Sequence, residues 1–98
     1  MNKLNGFLQV LSELNINQDQ IETFLEQNPA VIDGDYEQFI ININLLYKAK
    51  VPKDEIGNLL INSANVLFYD SDDLRIKIKE IQQEQTVLDC IIENPDIF

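Results

Sequence analysis

Residues 40–68 read IININLLYKAKVPKDEIGNLLINSANVLF, the most apolar stretch of the chain. Val51-Pro52 interrupts it, and helical spacing is visible on both sides. Before the break Ile40, Ile43, Leu46 and Tyr47 recur at a helical period, with Ile41 and Leu45 widening the stripe. After it Ile56, Leu59, Leu60, Ser63, Ala64 and Leu67 do the same, which predicts a helix reaching to about Leu67. Stripes wider than one face belong to helices covered by neighbours on more than one side. The stretch therefore reads as a central helical pair onto which both flanks pack.

On the N-terminal side, Leu4, Phe7, Leu8, Leu11 and Leu14 predict a helix from near Asn2 to about Leu14, with Val10 widening its face. Asn15 suits a left-handed C-terminal cap, and Asn17 with Gln20 forms a capping-box pattern for the next helix. That helix turns Ile21, Phe24 and Leu25 inward and stops near Asn28, because the residue before Pro29 is pushed out of helical geometry. PAVIDGD is a connector with a turn at Gly34. Asp35 caps the third helix, with Gln38 at the box position and Tyr36, Phe39, Ile40, Ile43 and Leu46 on its buried side.

On the C-terminal side, Asp70 or Ser71 caps a fifth helix. Leu74, Ile78, Ile81, Gln85, Leu88 and Ile92 alternate steps of four and three like a heptad seam. Gln85 marks either a polar register position in one long helix or a break between two short ones. The glutamines at 82, 83 and 85 favour the break.

A shift of 35 residues lays the first part of the chain on the second. Leu11 falls on Leu46, Asp19 on Asp54, Ile21 on Ile56, Phe24-Leu25 on Leu59-Leu60, and Asp35 on Asp70. Past a deletion among Gln82 to Gln85, Asn28-Pro29 and Val31-Ile32 match Asn94-Pro95 and Ile97-Phe98. The expected architecture is all-α: a single domain over residues 1–98, built as a short right- or left-handed stack of helix-turn-helix repeats with about five to six helices. The repeats span about 4–34, 35–69 and a truncated 70–98.

The pattern resembles the helical repeat of the mitochondrial transcription termination factor family. There a helix ends at a Gly-Val/Ile-Ser/Pro turn, an Ile-x-x-Leu-Leu helix follows, and a Pro-x-x-Leu stretch makes a short third turn. Val51, Pro52, Ile56, Leu59, Leu60 and Leu67 supply it in one copy; Ile16, Ile21, Phe24, Leu25, Pro29 and Ile32 in the other. Asn15 and Lys50 stand where the family has its turn glycine, and Ala64 where it has proline. The resemblance implies nucleic-acid binding along a basic concave surface.

Charge argues against carrying that activity over. Seventeen acidic residues face seven basic ones, a net charge of −10 with no histidine, and affinity for phosphates or anionic membranes rests on Lys and Arg. Lys48, Lys50 and Lys53 surround one turn. Arg75, Lys77 and Lys79 share a helix, where Asp72 and Asp73 read as their ion-pair partners. Without histidine, triads and His-metal sites are excluded. Cys90, among Val87, Leu88, Ile91 and Ile92, reads as a core residue, and one cysteine allows no internal disulfide. DGDYE lacks the glycine placement and closing Glu of a calcium loop. No cofactor is called for.

No run is long enough to span a membrane, and MNKLNGFLQVL lacks the apolar core and cleavage site of a signal peptide, so the expected compartment is the cytoplasm. The expected function is a small acidic protein-protein interaction module without catalytic activity. One alternative is a nucleic-acid mimic that inhibits by occupying a basic surface, as phage anti-defence proteins do. The other is a remnant termination-factor-like nucleic-acid binder. The candidate contact residues are Asp35, Glu37, Asp70, Asp72 and Asp73, which also read as helix caps and solubilising charge. The expected partner is a protein, one with a basic surface in the mimic reading; direct nucleic-acid binding and membrane binding are not expected, and a homodimer is left open.

Overall fold

A computed structural model describes residues 3–98. The elements run α1 (Lys3–Glu13), α2 (Gln18–Gln27), a 3-10 turn (Pro29–Val31), α3 (Tyr36–Lys48), α4 (Lys53–Asn62), a 3-10 turn (Ala64–Phe68), α5 (Ser71–Gln82) and α6 (Val87–Glu93). There is no strand among the described residues. The expected start of the first helix at Asn2 lies outside them. α3 packs against α1 on one side and α5 on the other, while α2, α4 and α6 each pack against the helix before them.

The backbone follows the 35-residue shift closely. It carries α2 onto α4 end for end, and it carries Asn15, at φ 64°, onto Lys50, at φ 67°. Both are in the left-handed region, so the turn geometry persists where the family's glycine is replaced. The Asn28 N–H donates to the Phe24 carbonyl (3.0 Å), as the Ser63 N–H does to Leu59 (2.7 Å). In the third unit Asn94 adopts φ −134°, ψ 80°, close to Asn28 at −130°, 64°. The Ile97 N–H then donates to Asn94 (3.0 Å), as Val31 does to Asn28 (2.9 Å).

Local signals explain most boundaries. Asn17 and Gln20 complete both arms of their capping box, at 2.8 and 3.1 Å. Asp35 accepts from the Gln38 N–H (3.2 Å), but the Gln38 side chain donates to the Tyr69 carbonyl (2.9 Å), so this box stays half-made. Asp70, not Ser71, caps α5 by accepting from the Asp72 N–H (2.9 Å).

Two expectations are corrected, and the break favoured near Gln85 is found. α4 ends at Asn62, not near Leu67: Ser63 is extended, and a 3-10 turn keeps Val66 and Leu67 buried at a spacing that also fits an α-helix. Of the two readings of Gln85 the break between two short helices is the one found, so the heptad spacing does not run as one line. Gln83 to Thr86 break the helix, and α6 buries Val87, Cys90 and Ile91 instead, leaving Leu88 half-buried and Ile92 exposed. Leu25 is only half-buried whereas its counterpart Leu60 is fully buried, because α2 is first in its layer and lacks a neighbouring unit on one side.

The core runs the length of the molecule through Phe7, Leu11, Leu14, Ile43, Leu46, Ile56, Leu60, Leu67 and Leu74. Two glycines mark close approaches. A Cβ on Gly34 would sit 2.3 Å from the Phe39 ring, and one on Gly57 would sit 2.8 Å from the Leu14 carbonyl oxygen. α4 thus lies directly on the turn that joins α1 to α2.

Candidate binding surface

The five candidate acids stand at the N-terminal ends of two packed helices. Asp35 and Asp70 are the N-caps of α3 and α5, and Glu37, Asp72 and Asp73 lie in the first turns. All five are exposed. Asp72 pairs with Arg75 one turn on, at 2.8 Å between two well-exposed side chains, a contact of small energetic worth. Lys77 does not pair with Asp73 as the spacing suggests. Its ammonium donates to the Tyr69 hydroxyl (3.1 Å) and lies over the rings of Tyr69 (5.5 Å) and Phe98 (5.7 Å).

Beside the acids runs an aromatic edge that the sequence reading did not single out. Phe7, Tyr36, Phe39 and Phe68 form a chain of ring contacts, with centroids 5.4 to 5.8 Å apart. The Tyr36 hydroxyl donates to the Ile32 carbonyl. Phe7 and Phe39 are buried, but Phe68 is 44% and Ile32 49% exposed, and Tyr36 is half-buried. Asp33 is near enough to add to the burial that raises the Tyr36 phenol above its ordinary pKa. Apolar surface and carboxylates therefore meet at one end of the helix layer.

Lys48 and Lys79 stand in the last turns of the same two helices, and Arg75 lies in the first half of α5. Lys48, Arg75 and Lys79 line a groove of about 250 Å³ between α3 and α5, over Leu45 and Ile78. A second hollow of about 550 Å³ continues it past Lys48 and Lys50 to the Gln82–Leu88 connection. The sequence reading kept these cations in two separate groups. Their convergence comes from the parallel packing of α3 and α5, which no local pattern reports.

One buried polar side chain fixes this layout. Asn42, fully buried in the middle of α3, donates from Nδ2 to the carbonyls of Val66 (3.0 Å), Leu67 (3.2 Å) and Tyr69 (2.9 Å). Its Oδ1 accepts from the Ser71 hydroxyl (3.3 Å). The second 3-10 turn, the Asp70 cap and the start of α5 are thereby clamped to α3.

Other features carry little chemistry. Among the described residues no group of three His, Cys, Asp or Glu side chains is placed to hold a metal ion, and no helix is long and apolar enough to cross a membrane. Cys90 is buried. The hollow between α2 and α4, about 230 Å³, brings in one titratable side chain, Asp19.

The fold so described is an all-α stack of helical-repeat units. The chain belongs to the mTERF family, whose model matches residues 1–98. This is a family of nucleic-acid-binding helical repeats, which puts the termination-factor-like alternative nearer to the comparison than the other readings are. No curated protein and no solved structure matches the chain.

Proposed function

We propose that this chain is a non-catalytic interaction module that holds a Lys/Arg-rich segment of a partner protein against its acid-rimmed aromatic edge. The observation that carries this reading is the exposed pair Ile32 and Phe68, linked through Tyr36 and Phe39 and flanked by Asp33, Asp35, Glu37 and Asp70. Covering half-exposed apolar side chains supplies binding energy, and the carboxylates select a cationic partner and speed its approach. Where the partner's basic surface also serves nucleic acid, the chain acts as a competitor for it.

The basic groove favours a second reading, direct contact with nucleic acid through Lys48, Lys50, Arg75 and Lys79, and family membership supports it. Charge weighs against it. Few phosphates can be reached, Arg75 is already paired, and the net charge of −10 repels a polyanion.

The two readings separate in one set of measurements: capture of proteins from cell extract, and fluorescence anisotropy with labelled duplex and single-stranded oligonucleotides. Ile32→Ser with Phe68→Ser abolishes capture of the protein partner, while Lys48→Gln with Lys79→Gln leaves it intact. Oligonucleotide binding that disappears in the lysine variant would replace the first reading by the second.

A further inference from the structure

The repeat shift sets two equivalent stripes side by side on the open face of the α1–α3–α5 layer. On α3 the stripe is Glu37, Ile41, Asn44 and Lys48; on α5 it is Asp72, Ile76, Lys79 and Gln83. Each is spaced by four, three and four residues, and all eight side chains are exposed. Ile41 and Ile76, at 43% and 56% exposure, are two of the large apolar side chains left in water. α3 and α5 run parallel: Ser71, at the start of α5, sits beside Asn42 in the middle of α3, and Lys79 and Gln82 share a groove with Lys48 and Ala49 near the ends of both. The face therefore reads acid, apolar, base along the helix direction. On α1 the same stripe continues through Gly6, Gln9 and Glu13; level with the isoleucines it is bare, since a Cβ added at Gly6 would meet nothing within 4 Å, and Glu13 adds one exposed carboxylate at the far end.

We infer that this face binds a second copy of the chain about a two-fold axis that crosses the helices. Such an axis turns one copy end for end over the other. Glu37 and Asp72 of one protomer then oppose Lys48 and Lys79 of its partner, and the isoleucines meet in the middle. A face whose two ends are opposite in charge is complementary to itself under this operation, which is what an isologous dimer requires. Charge also singles out this face. The α3 and α5 stripes carry two carboxylates and two ammonium groups, so they balance, and with Glu13 of α1 the face holds one excess negative charge in a chain of net charge −10; approach through an acid-rich side brings many like charges together.

Size sets the expected strength. α3, with 13 residues, is about 20 Å long, and three helices side by side span roughly 25–30 Å. A flat footprint of about 500–600 Å² per protomer is below that of a standard stable interface, so the dimer is a weak, concentration-dependent one.

The test is sedimentation equilibrium on the full chain and on charge-reversal variants, with circular dichroism to check that each is folded. The wild-type mass rises from monomer towards dimer as concentration increases through the micromolar range and beyond. Glu37→Lys/Asp72→Lys has two basic ends and stays monomeric; Lys48→Glu/Lys79→Glu has two acidic ends and does the same. Mixed in equal amounts, the folded variants regain the dimer, because each supplies the end the other lacks. Ile41→Asn/Ile76→Asn weakens the wild-type dimer at least tenfold, whereas Phe68→Ser leaves it unchanged, so this inference and the aromatic-edge reading fail or stand separately. A wild type that is monomeric throughout, or a mixture no better associated than its components, would overturn the inference.

Discussion

Asn42 shares its two amide protons among the carbonyls of Val66 and Leu67, in the 3-10 turn, and of Tyr69 just after it. Asn42→Leu strands those groups in the core, and thermal unfolding should show a loss of about 2–4 kcal/mol. Asn42→Asp should be worse at neutral pH and recover as the pH falls, because a carboxylate facing carbonyls must be protonated to be buried. Sequence alone could not separate Asn42 from Asn44: both interrupt an apolar stripe, and only packing decides that one is buried and the other exposed. Lys50 was legible as a turn residue, yet its strain was not. With φ at 67°, Lys50→Gly should stabilise the fold by about 1 kcal/mol, read as a higher denaturation midpoint. Tyr36 and Tyr47 have pKa values raised first by burial, then by Asp33 and Glu13 respectively. Above about pH 10 the unfolded chain therefore loses its phenol protons before the folded one does. Stability should fall as pH rises past that value, and Tyr36→Phe with Tyr47→Phe should flatten the decline.

Helix starts were the best-read elements, because Asn17, Asp35 and Asp70 each act through a side chain within a few residues of the backbone they cap. Helix ends were harder. Ser63, Ala64 and Leu67 continue an α-helical spacing, but their backbone leaves the helix at Ser63 so that the following turn can receive Asn42. The break before α6 was foreshadowed by the polar run at 82–85 and Cys90 was legible as a core residue, whereas the rotation that buries Val87 and Ile91 in place of Leu88 and Ile92 depends on α5 and could not be read locally. The end of the chain folds back as the repeat suggested, though onto Tyr69 and α5 more than onto the last helix. Phe98 is 7% exposed, edge-on to the Tyr69 ring at 6.0 Å, and Ile97 is half-buried. Phe98→Ala should cost about 2–3 kcal/mol and lower the melting temperature by roughly 10–15 °C. An unchanged melting curve would mean that this contact does not hold the third unit closed.

At the scale of the whole molecule, a chain of net charge −10 sorts its charge by end. Carboxylates gather where α3 and α5 begin, and Lys48 and Lys79 stand in their last turns. The arrangement suits the helix dipoles, and it also gives the layer two chemically different ends. The acids were legible because caps are local. The aromatic edge and the basic groove were not, since each joins residues from separate units that meet only after the stack has formed. The proposed function turns on which end holds the ligand. A two-dimensional amide NMR titration of the labelled full chain tests this directly, with a Lys/Arg-rich amphipathic peptide in one series and a duplex oligonucleotide in the other. With the peptide, shifts should concentrate at residues 32–38 and 68–73, weaken as salt rises, and vanish in the Ile32→Ser/Phe68→Ser variant, while the oligonucleotide moves little. Shifts at residues 48–53 and 75–88 with the oligonucleotide, and none with the peptide, would contradict it.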